Sequence, residues 1–360
     1  MERVQVNPAF PLFIDDANAR ARLGDIPATG QVLEDADEGL RRLLRACASE
    51  PRRLGDLQAL LSQDHGVAPE DTAAAVDELL AARLLVRERD LDSYAADERL
   101  MRQALFFSML QPADEVGRSL DALAACSVVV LGVGGIGSAV ATQLVTAGVR
   151  KIRVVDDDCV ELSNLHRQHL YTTADIGTAK VAAAARRVRE YSPVTQVDAR
   201  QQRLRGSGDV AEAIAGADFV VNTVDTPQPH IRRWVNTACV QAKVPFATAG
   251  FSQHMGVIGP IVVPGETACL ACWELQDARR YGGTEIPTPV NIGRVIPAFG
   301  PLCAIIAGML SAEIIGHVTT VLPPTITGRV LLVDLIELSV IRRDLARLDD
   351  CPACSQAATR

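Results

Sequence analysis

The chain lacks the surplus of basic residues that a nucleic-acid partner calls for. Its 36 Lys and Arg stand against 44 Asp and Glu, a net charge of -8, whereas proteins that neutralise phosphates carry excess cations. No apolar run is expected to reach membrane-spanning length, and the N-terminus, MERVQVNPAF, lacks the charged-then-apolar pattern of a signal peptide. Neither nucleic acid nor membrane is therefore expected as a partner, and cytoplasmic residence is the default. No internal repeat or low-complexity tract is seen. The six histidines form no HxxxH or HExxH pair, so a catalytic metal of that type is not indicated. Nine cysteines, an odd count in a chain of 360 residues without a signal, favour reduced thiols or metal ligands over disulfides. What remains is ordinary globular composition, 48% hydrophobic and 22% charged, with room for two or three domains.

Residues 1–92 read as a small separate unit. Strand-like pieces at 4–6, 11–14, 19–23 and 31–33 precede three helical patterns. The first, 38–48, places Leu40, Leu43, Leu44 and Cys47 on one face; the second, 54–65, does so with Leu57, Leu60 and Leu61. A third starts at Pro69, suited to a first helical turn, and carries Ala73, Val76, Leu79 and Leu80 on to Ala82. "RLLVRERD" then reads as the strand of a wing, which completes a winged-helix shape. DNA binding is the usual role of that shape, but the third helix, "PEDTAAAVDELLAAR", offers acids and alanines where base edges and phosphates require Arg, Lys, Asn or Gln. Strands ahead of a winged helix resemble the peptide clamp, the recognition element of enzymes that modify ribosomally made peptides. That resemblance implies a leader peptide taken as an added strand.

A charged, helix-prone stretch at 90–100 leads into a second domain, 97–360. Strands at 128–131, 152–155, 196–199 and 218–222 alternate with helices at 136–147, 178–190, 208–215 and 228–242. This alternation predicts an α/β fold, a Rossmann-like, doubly wound and mostly parallel sheet. Between the first strand and helix lies Gly132-Val133-Gly134-Gly135-Ile136-Gly137, and Asp156 ends the second strand. Glycines there let the backbone approach a phosphate at a helix N-terminus, and the acid suits ribose hydroxyls. Taken alone, this pattern fits an NAD-dependent oxidoreductase as well as other nucleotide enzymes. Tyr281 to Arg294, rich in Gly, Pro and Thr, is expected as a lid or connecting loop.

The residues beyond Asp156 decide against hydride transfer. "DDDCVELSNLHRQ", followed by Lys180, resembles the active-site signature of the ubiquitin-activating-enzyme superfamily, over about Asp97 to the C-terminus. Its bacterial members include the thiamine- and molybdopterin-pathway adenylyltransferases and the microcin-type enzymes that nucleotidylate a precursor peptide. The resemblance implies that Gly132, Gly134, Gly135 and Gly137 face the phosphates and that Asp156 accepts from the ribose. Asp158, Asn164 and Gln168 then belong to the same nucleotide pocket. Arg167 and Lys180 reach the triphosphate of ATP, and Asp225 in "VVNTVDTPQPHIRRWVN" holds Mg2+. "DERLMRQALFF" matches the family segment whose arginine enters the neighbouring subunit's site, which points to Arg102 and a homodimer. Chemistry agrees: a carboxylate attacking an α-phosphate brings two anions together, so cations must neutralise the reacting oxygens. Hydride transfer needs no such cluster.

Two departures stand beside the metal ligand: Asn222 where the family often has Asp, and Asp225-Thr226 with an insertion-like "PQPHI" where it often has Asp-Asn. The longer form resembles the microcin-type enzymes more than the sulfur-carrier activators. No residue plainly reads adenine, so ATP against CTP stays open. The pairs Cys269/Cys272 and Cys351/Cys354 have the CxxC spacing that grips one Zn2+ as a closed structural site, and they match the family's zinc positions. Cys126, Cys159 and Cys239 read as core, Cys303 as a buried thiol on an apolar helix, and His230 and His254 as pocket candidates. The leading expectation is ATP-dependent adenylation of the C-terminal carboxylate of a short precursor peptide. The alternatives are adenylation of a small sulfur-carrier protein and a non-catalytic scaffold that presents a leader peptide to a cyclodehydratase.

Overall fold

The computed structural model describes residues 2–25, 30–94, 97–283 and 297–355. The chain forms two compact units, Met1–Asp121 and Ala122–Arg360. In the first, β1 (Arg3–Val6), β2 (Leu12–Asp15), β3 (Arg20–Leu23) and β4 (Gln31–Leu33) come before α1 (Glu38–Ser49), β5 (Arg52–Arg53), α2 (Leu54–His65), α3 (Pro69–Ala81) and β6 (Leu85–Arg87). Then follow α4 (Glu88–Tyr94), α5 (Met101–Leu110) and α6 (Ala113–Ala125). The strands make two antiparallel sheets, ordered β5-β1-β6 and β2-β3-β4.

Period-two alternation along β1 and β3 sends Val4, Val6, Ala21 and Leu23 inward. There they meet Leu43, Leu57 and Val76 of the three helices. Each helix is bounded as its sequence dictates. Asp37 caps α1 by accepting the Leu40 N–H at 2.7 Å, α2 stops on Gly66 at φ +65°, and Pro69 opens α3. α5 belongs to this unit through Asn7, a fully buried residue of the chain's first turn. The Asn7 amide donates to the carbonyls of Arg83 and Ser108 at 3.1 and 3.2 Å.

The second unit is built on one sheet of eight strands. Its elements are β7 (Ser127–Leu131), α7 (Gly135–Thr146), β8 (Lys151–Asp156), α8 (Lys180–Tyr191), β9 (Gln196–Gln201), α9 (Ser207–Ala213), β10 (Phe219–Asn222) and α10 (His230–Ala242). They continue with β11 (Phe246–Ser252), β12 (Met255–Val262), α11 (Leu270–Arg280), α12 (Gly300–Thr319), β13 (Arg329–Asp334) and β14 (Ser339–Asp344). The order is β14-β13-β12-β11-β10-β7-β8-β9. From β11 to β9 all pairs are parallel; β12, β13 and β14 add antiparallel strands on the other side. β7 and β10 are buried almost throughout, as strands covered by helices on both faces must be. From β7 the chain winds outward through β8 to β9, then returns to lay β10 on the opposite side of β7. The switch point between β7 and β10 is where such sheets bind ligands, outside the carboxyl ends of the strands.

Two expectations are revised. α12 is a 20-residue helix of mean hydropathy 1.7 over its most apolar window, long and apolar enough to cross a membrane. Here it serves as a core helix: it packs on α7, β11 and β12, and Leu302, Ile306, Leu310 and Ile314 recur every four residues on its buried side. Glu313 on the same helix accepts the N–H groups of Thr325 and Ile326 at 2.5 and 3.0 Å. Cys159 is exposed, not core. It forms an isolated bridge with Ala179, and the side chain that turns inward there is its neighbour Val160. The expected lid or connecting loop lies, from residue 284 on, outside the described residues.

Candidate active site

The glycine turn sits at the switch point. Gly132 has φ +82°, and a Cβ there would lie 3.0 Å from the Val224 side chain and 3.1 Å from backbone of Thr223 and Val224. Gly137 is tighter: its Cβ would fall 1.9 Å from the Gly132 carbonyl oxygen and 2.4 Å from Thr223 Oγ1. These two glycines let α7 start directly against the end of β7. Gly134 differs, since its Cβ would meet only Gln168 Nε2, at 3.8 Å. No side chain caps α7 at Gly134. Its first-turn N–H groups take no side-chain cap among the described residues and suit an anion, which the helix dipole favours.

Three segments gather around this turn. Asp156, ending β8, accepts the Val133 N–H at 2.8 Å and the Asp158 N–H at 2.9 Å. Burial raises its pKa, and the Lys180 ammonium opposes that rise. Lys180 Nζ lies 2.7 Å from Asp158 Oδ2; Lys180 is buried and Asp158 exposed. The stretch 164–171 runs along the turn. The Arg167 side chain would touch a Gly135 Cβ at 3.4 Å, and Arg167 donates to the Ser163 carbonyl at 2.9 Å. Gln168 is 2% exposed, and its Oε1 has no hydrogen-bond partner among the described residues. Tyr171 donates from its hydroxyl to the Val133 carbonyl at 2.8 Å. Asn164 is buried, but its Oδ1 accepts the Glu161 N–H at 3.1 Å in a reciprocal cap, so it shapes the segment that carries Arg167.

From the opposite side, Thr223 just past β10 donates its N–H to Leu131 O at 2.9 Å and its hydroxyl to Gly132 O at 2.8 Å. Asp225, two residues on, is exposed and has no hydrogen-bond or ion-pair partner among the described residues. Asn222 is buried, and its Oδ1 has no hydrogen-bond partner among the described residues. Cys303 of α12 is buried with Sγ 3.0 Å from a Gly135 Cβ; burial raises its pKa, with Arg167 opposing. His230 and His254 lie elsewhere: His230 stacks on Trp234 at 6.0 Å, and His254 lies 3.9 Å from Asp334. Arg102 lies exposed on α5 of the other unit.

The residues fit a nucleotide and a divalent cation. An uncapped helix N-terminus, open space at Gly134 and an orphaned buried amide at Gln168 suit phosphate and hydroxyl groups. The exposed carboxylate of Asp225 suits a hard cation.

The four predicted metal-ligating cysteines converge as well. Cys269, Cys272, Cys351 and Cys354 are all buried, with the four sulfurs within 4.8 Å of one another. The Sγ···Sγ separations are 4.0 Å for Cys269 and Cys272, 3.7 Å for Cys269 and Cys351, and 3.5 Å for Cys272 and Cys354. Zinc–sulfur bonds of about 2.3 Å in a tetrahedron imply sulfur edges of roughly 3.8 Å. Crowding splits the thiols: a hydrogen bond from Cys269 lowers the Cys272 pKa to about 4. Its partner Cys269 moves up, first through that same bond and then through burial, while burial brings Cys354 to about 11. Asn236 supports the cluster, with Nδ2 3.7 Å from Cys269 Sγ and Oδ1 accepting the Leu270 N–H at 2.9 Å.

Residues 102–353 match the family model described as the ThiF family. The chain belongs to the ThiF family. It is 32% identical over 244 residues to the sulfur carrier protein adenylyltransferase of Thermus thermophilus, covering 67% of this chain and 86% of that protein. Identity is 34% over 232 residues with the sulfur carrier protein ThiS adenylyltransferase of Escherichia coli, covering 63% and 85%. Among solved structures, E. coli MccB with ATP superposes at a TM-score of 0.80 with 22% identity, over 98% of this chain and 100% of that one. The microcin C7 biosynthetic enzyme MccB in complex with N-formylated MccA gives 0.80 at 20% identity with the same coverage. This ThiF-family chain is an adenylyltransferase, and its α/β fold is the Rossmann-like fold of that family. The family model starts at residue 102, so β1 to α4 lie outside it, whereas the fold likeness takes in nearly the whole chain.

Sequence reasoning missed Tyr171, Thr223 and Asn236. The first two hold the glycine turn's carbonyls and the third serves the cysteine cluster. Only Thr223, beside Asn222 and Asp225 in "NTVD", lay near a motif that could have drawn attention to it.

Proposed function

We propose that this enzyme adenylates the C-terminal carboxylate of a short ribosomally made precursor peptide held by its N-terminal unit. ATP lies with its phosphates over Gly132 to Gly137 and its ribose on Asp156, with Asp158, Asn164 and Gln168 around it. Arg167 and Lys180 draw charge from the triphosphate, and Arg102 of a second subunit completes the set in a homodimer. Asp225 holds Mg2+, which offsets negative charge on the phosphates when bound. A carboxylate oxygen of the peptide attacks the α-phosphorus, the bond to the β-phosphate oxygen breaks, and pyrophosphate leaves with its electron pair. The product is an acyl-adenylate. Cationic side chains gathered near the glycine turn stabilise that transition state. Zn2+ on the four cysteines ties the C-terminal segment to α11 and takes no part in the chemistry.

One observation carries the peptide over the carrier protein: the fold likeness to MccB covers 98% of the chain, including β1 to α4, which the ThiF-family model leaves out. That segment, read as a winged-helix peptide clamp, gives a peptide a seat of its own. The carrier reading draws on the identity with sulfur-carrier adenylyltransferases. The scaffold reading is disfavoured by the intact glycines, Arg167, Lys180 and Asp225. The deciding experiment is ATP–pyrophosphate exchange with Mg2+, supplied either with peptides encoded by short neighbouring reading frames or with a sulfur-carrier protein. Exchange driven by a peptide, and lost in Arg167→Ala and Asp225→Ala, is expected. Exchange driven only by the carrier, or full activity in those variants, overturns the reading; no nucleotide binding at all favours the scaffold.

A further inference from the structure

A groove of about 440 Å³ in the N-terminal unit has β4 as one wall and α3 as the other. Its floor is apolar, with Leu40, Leu43, Leu61 and Leu79, while Asp35, Asp37, Asp71 and Glu78 line it and no Lys or Arg does. β4 is an edge strand, paired only with β3. It therefore offers an unused row of backbone donors and acceptors beside the groove.

What sets the four acids apart is that they share one groove whose lining holds no Lys or Arg. Some other acids of the unit pair with arginine: Asp16 with Arg41 and Arg45, Glu34 with Arg20, Asp64 with Arg42, and Glu2 with Arg87 and Arg89. None of the four groove acids forms an ion pair among the described residues. Local duties account for two of them in part, since Asp37 caps α1 and Asp71 lies in the first turn of α3, where the helix dipole favours an acid. Asp35 and Glu78 have no such duty.

We infer that the peptide segment seated in this groove is cationic as well as apolar, with apolar side chains on the leucine floor and Lys or Arg against the unpaired carboxylates. The inference rests on the peptide-clamp reading above and adds the chemistry that the clamp selects. Strand addition supplies affinity through backbone bonds that ignore sequence. Selection then falls to the side chains, and an uncompensated acidic rim over a low-dielectric floor attracts cations and repels anionic segments.

The test uses the full-length protein and three fluorescein-labelled 12-residue peptides that share one set of apolar positions and carry Lys, Ser or Glu at the others. Anisotropy titrations at low salt should rank them Lys, then Ser, then Glu, with at least a tenfold gap between the extremes that narrows at high salt. In the double variant Asp35→Asn/Glu78→Gln, neither residue of which forms an ion pair among the described residues, the gap should close mainly through weaker binding of the Lys peptide, with the melting temperature unchanged. Equal binding of all three peptides to the wild type, or a gap that survives the double variant, overturns the charge selection and leaves the clamp standing. Failure of every peptide to bind overturns the clamp reading together with this inference.

Discussion

Lys180, the first residue of α8, is 5% exposed, and its ammonium lies 2.7 Å from the Asp158 carboxylate, which faces solvent. A cation at a helix N-terminus opposes the dipole, and burying it adds desolvation. Its pairing with Asp158 and its attraction to Asp156 offset part of that cost. A role at the triphosphate gives a further reason to keep a lysine there, and it sets up a split between stability and activity. Lys180→Met keeps the apolar stem and leaves Asp158 solvated, while Asp156 keeps the two backbone N–H groups that it accepts and takes up a proton more readily without the ammonium. Its thermal stability should stay close to the wild type's, while pyrophosphate exchange falls by about 100-fold or more, as for loss of one charge-stabilising group. A variant that melts early with normal exchange per folded molecule would make Lys180 structural.

Gly137 and Gly134 separate fold from ligand in the same turn. Gly137→Ala drives a methyl to 1.9 Å from the Gly132 oxygen, an overlap that the backbone cannot relieve. It should cost about 3 kcal/mol or more and yield poorly folded protein. Gly134→Ala places its methyl in open space, at an extended backbone angle of φ -74°. Its melting temperature should stay within about 2 °C of the wild type, yet ATP affinity measured by calorimetry should drop at least tenfold, because the methyl occupies the space of the phosphates.

Asp156 predicts a pH signature. Burial holds its folded pKa above the ordinary 3.8, so between that value and the folded pKa the native state binds more protons than the unfolded chain. Stability from this group is therefore fully present at low pH and lost as pH rises through the folded pKa. Relative to Asp156→Asn, the wild type should gain stability as pH falls from 7 into the carboxylate range. Urea midpoints of the two proteins across pH 4 to 7 would show this, and a constant or opposite difference would contradict the assignment. The variant should also bind ATP at least tenfold more weakly, having lost a ribose acceptor.

The helices α1, α2, α3, α7 and α10 and the strands β7 to β10 were legible because each shows one periodicity and clear end signals. Pro69 opens its helix as expected, and the apolar run before Gly132 reads as a central strand. The region after residue 242 was not read as strands. β12 carries Gly256, Gly259 and Pro260, which mask a strand, β14 is exposed along most of its length, and the apolar α12 shows no polar face that would locate it in the core. Arg167, Lys180, Asp156 and Asp225 came from one ordered motif set, and the fold gathers Asp156, Lys180 and Arg167 near the glycine turn. Tyr171, Thr223 and Asn236 stayed invisible because each acts on an atom between 33 and 91 positions away. Cys159 was misjudged because its apolar neighbour Val160 takes the inward position.

The cysteine cluster gives the last prediction. Four buried sulfurs at tetrahedral spacing leave no coordination position for water, so the metal they would hold is structural. The purified protein should contain one zinc per chain by elemental analysis. Cys351→Ser removes one ligand from the C-terminal pair and loosens the segment whose Leu348 N–H points at Cys272 Sγ from 3.5 Å. Metal content should fall below half, and the melting temperature should drop by roughly 10 °C, as for loss of several kcal/mol of metal-linked stability. Adenylate formation measured below the new transition should keep the wild-type ATP dependence, because the hydrogen bonds of the cluster run to Asn236 of α10 and to Leu348. Zinc-free protein with unchanged melting would show that these thiols are simply a packed core. A changed ATP dependence in folded Cys351→Ser would instead tie the metal to the nucleotide site.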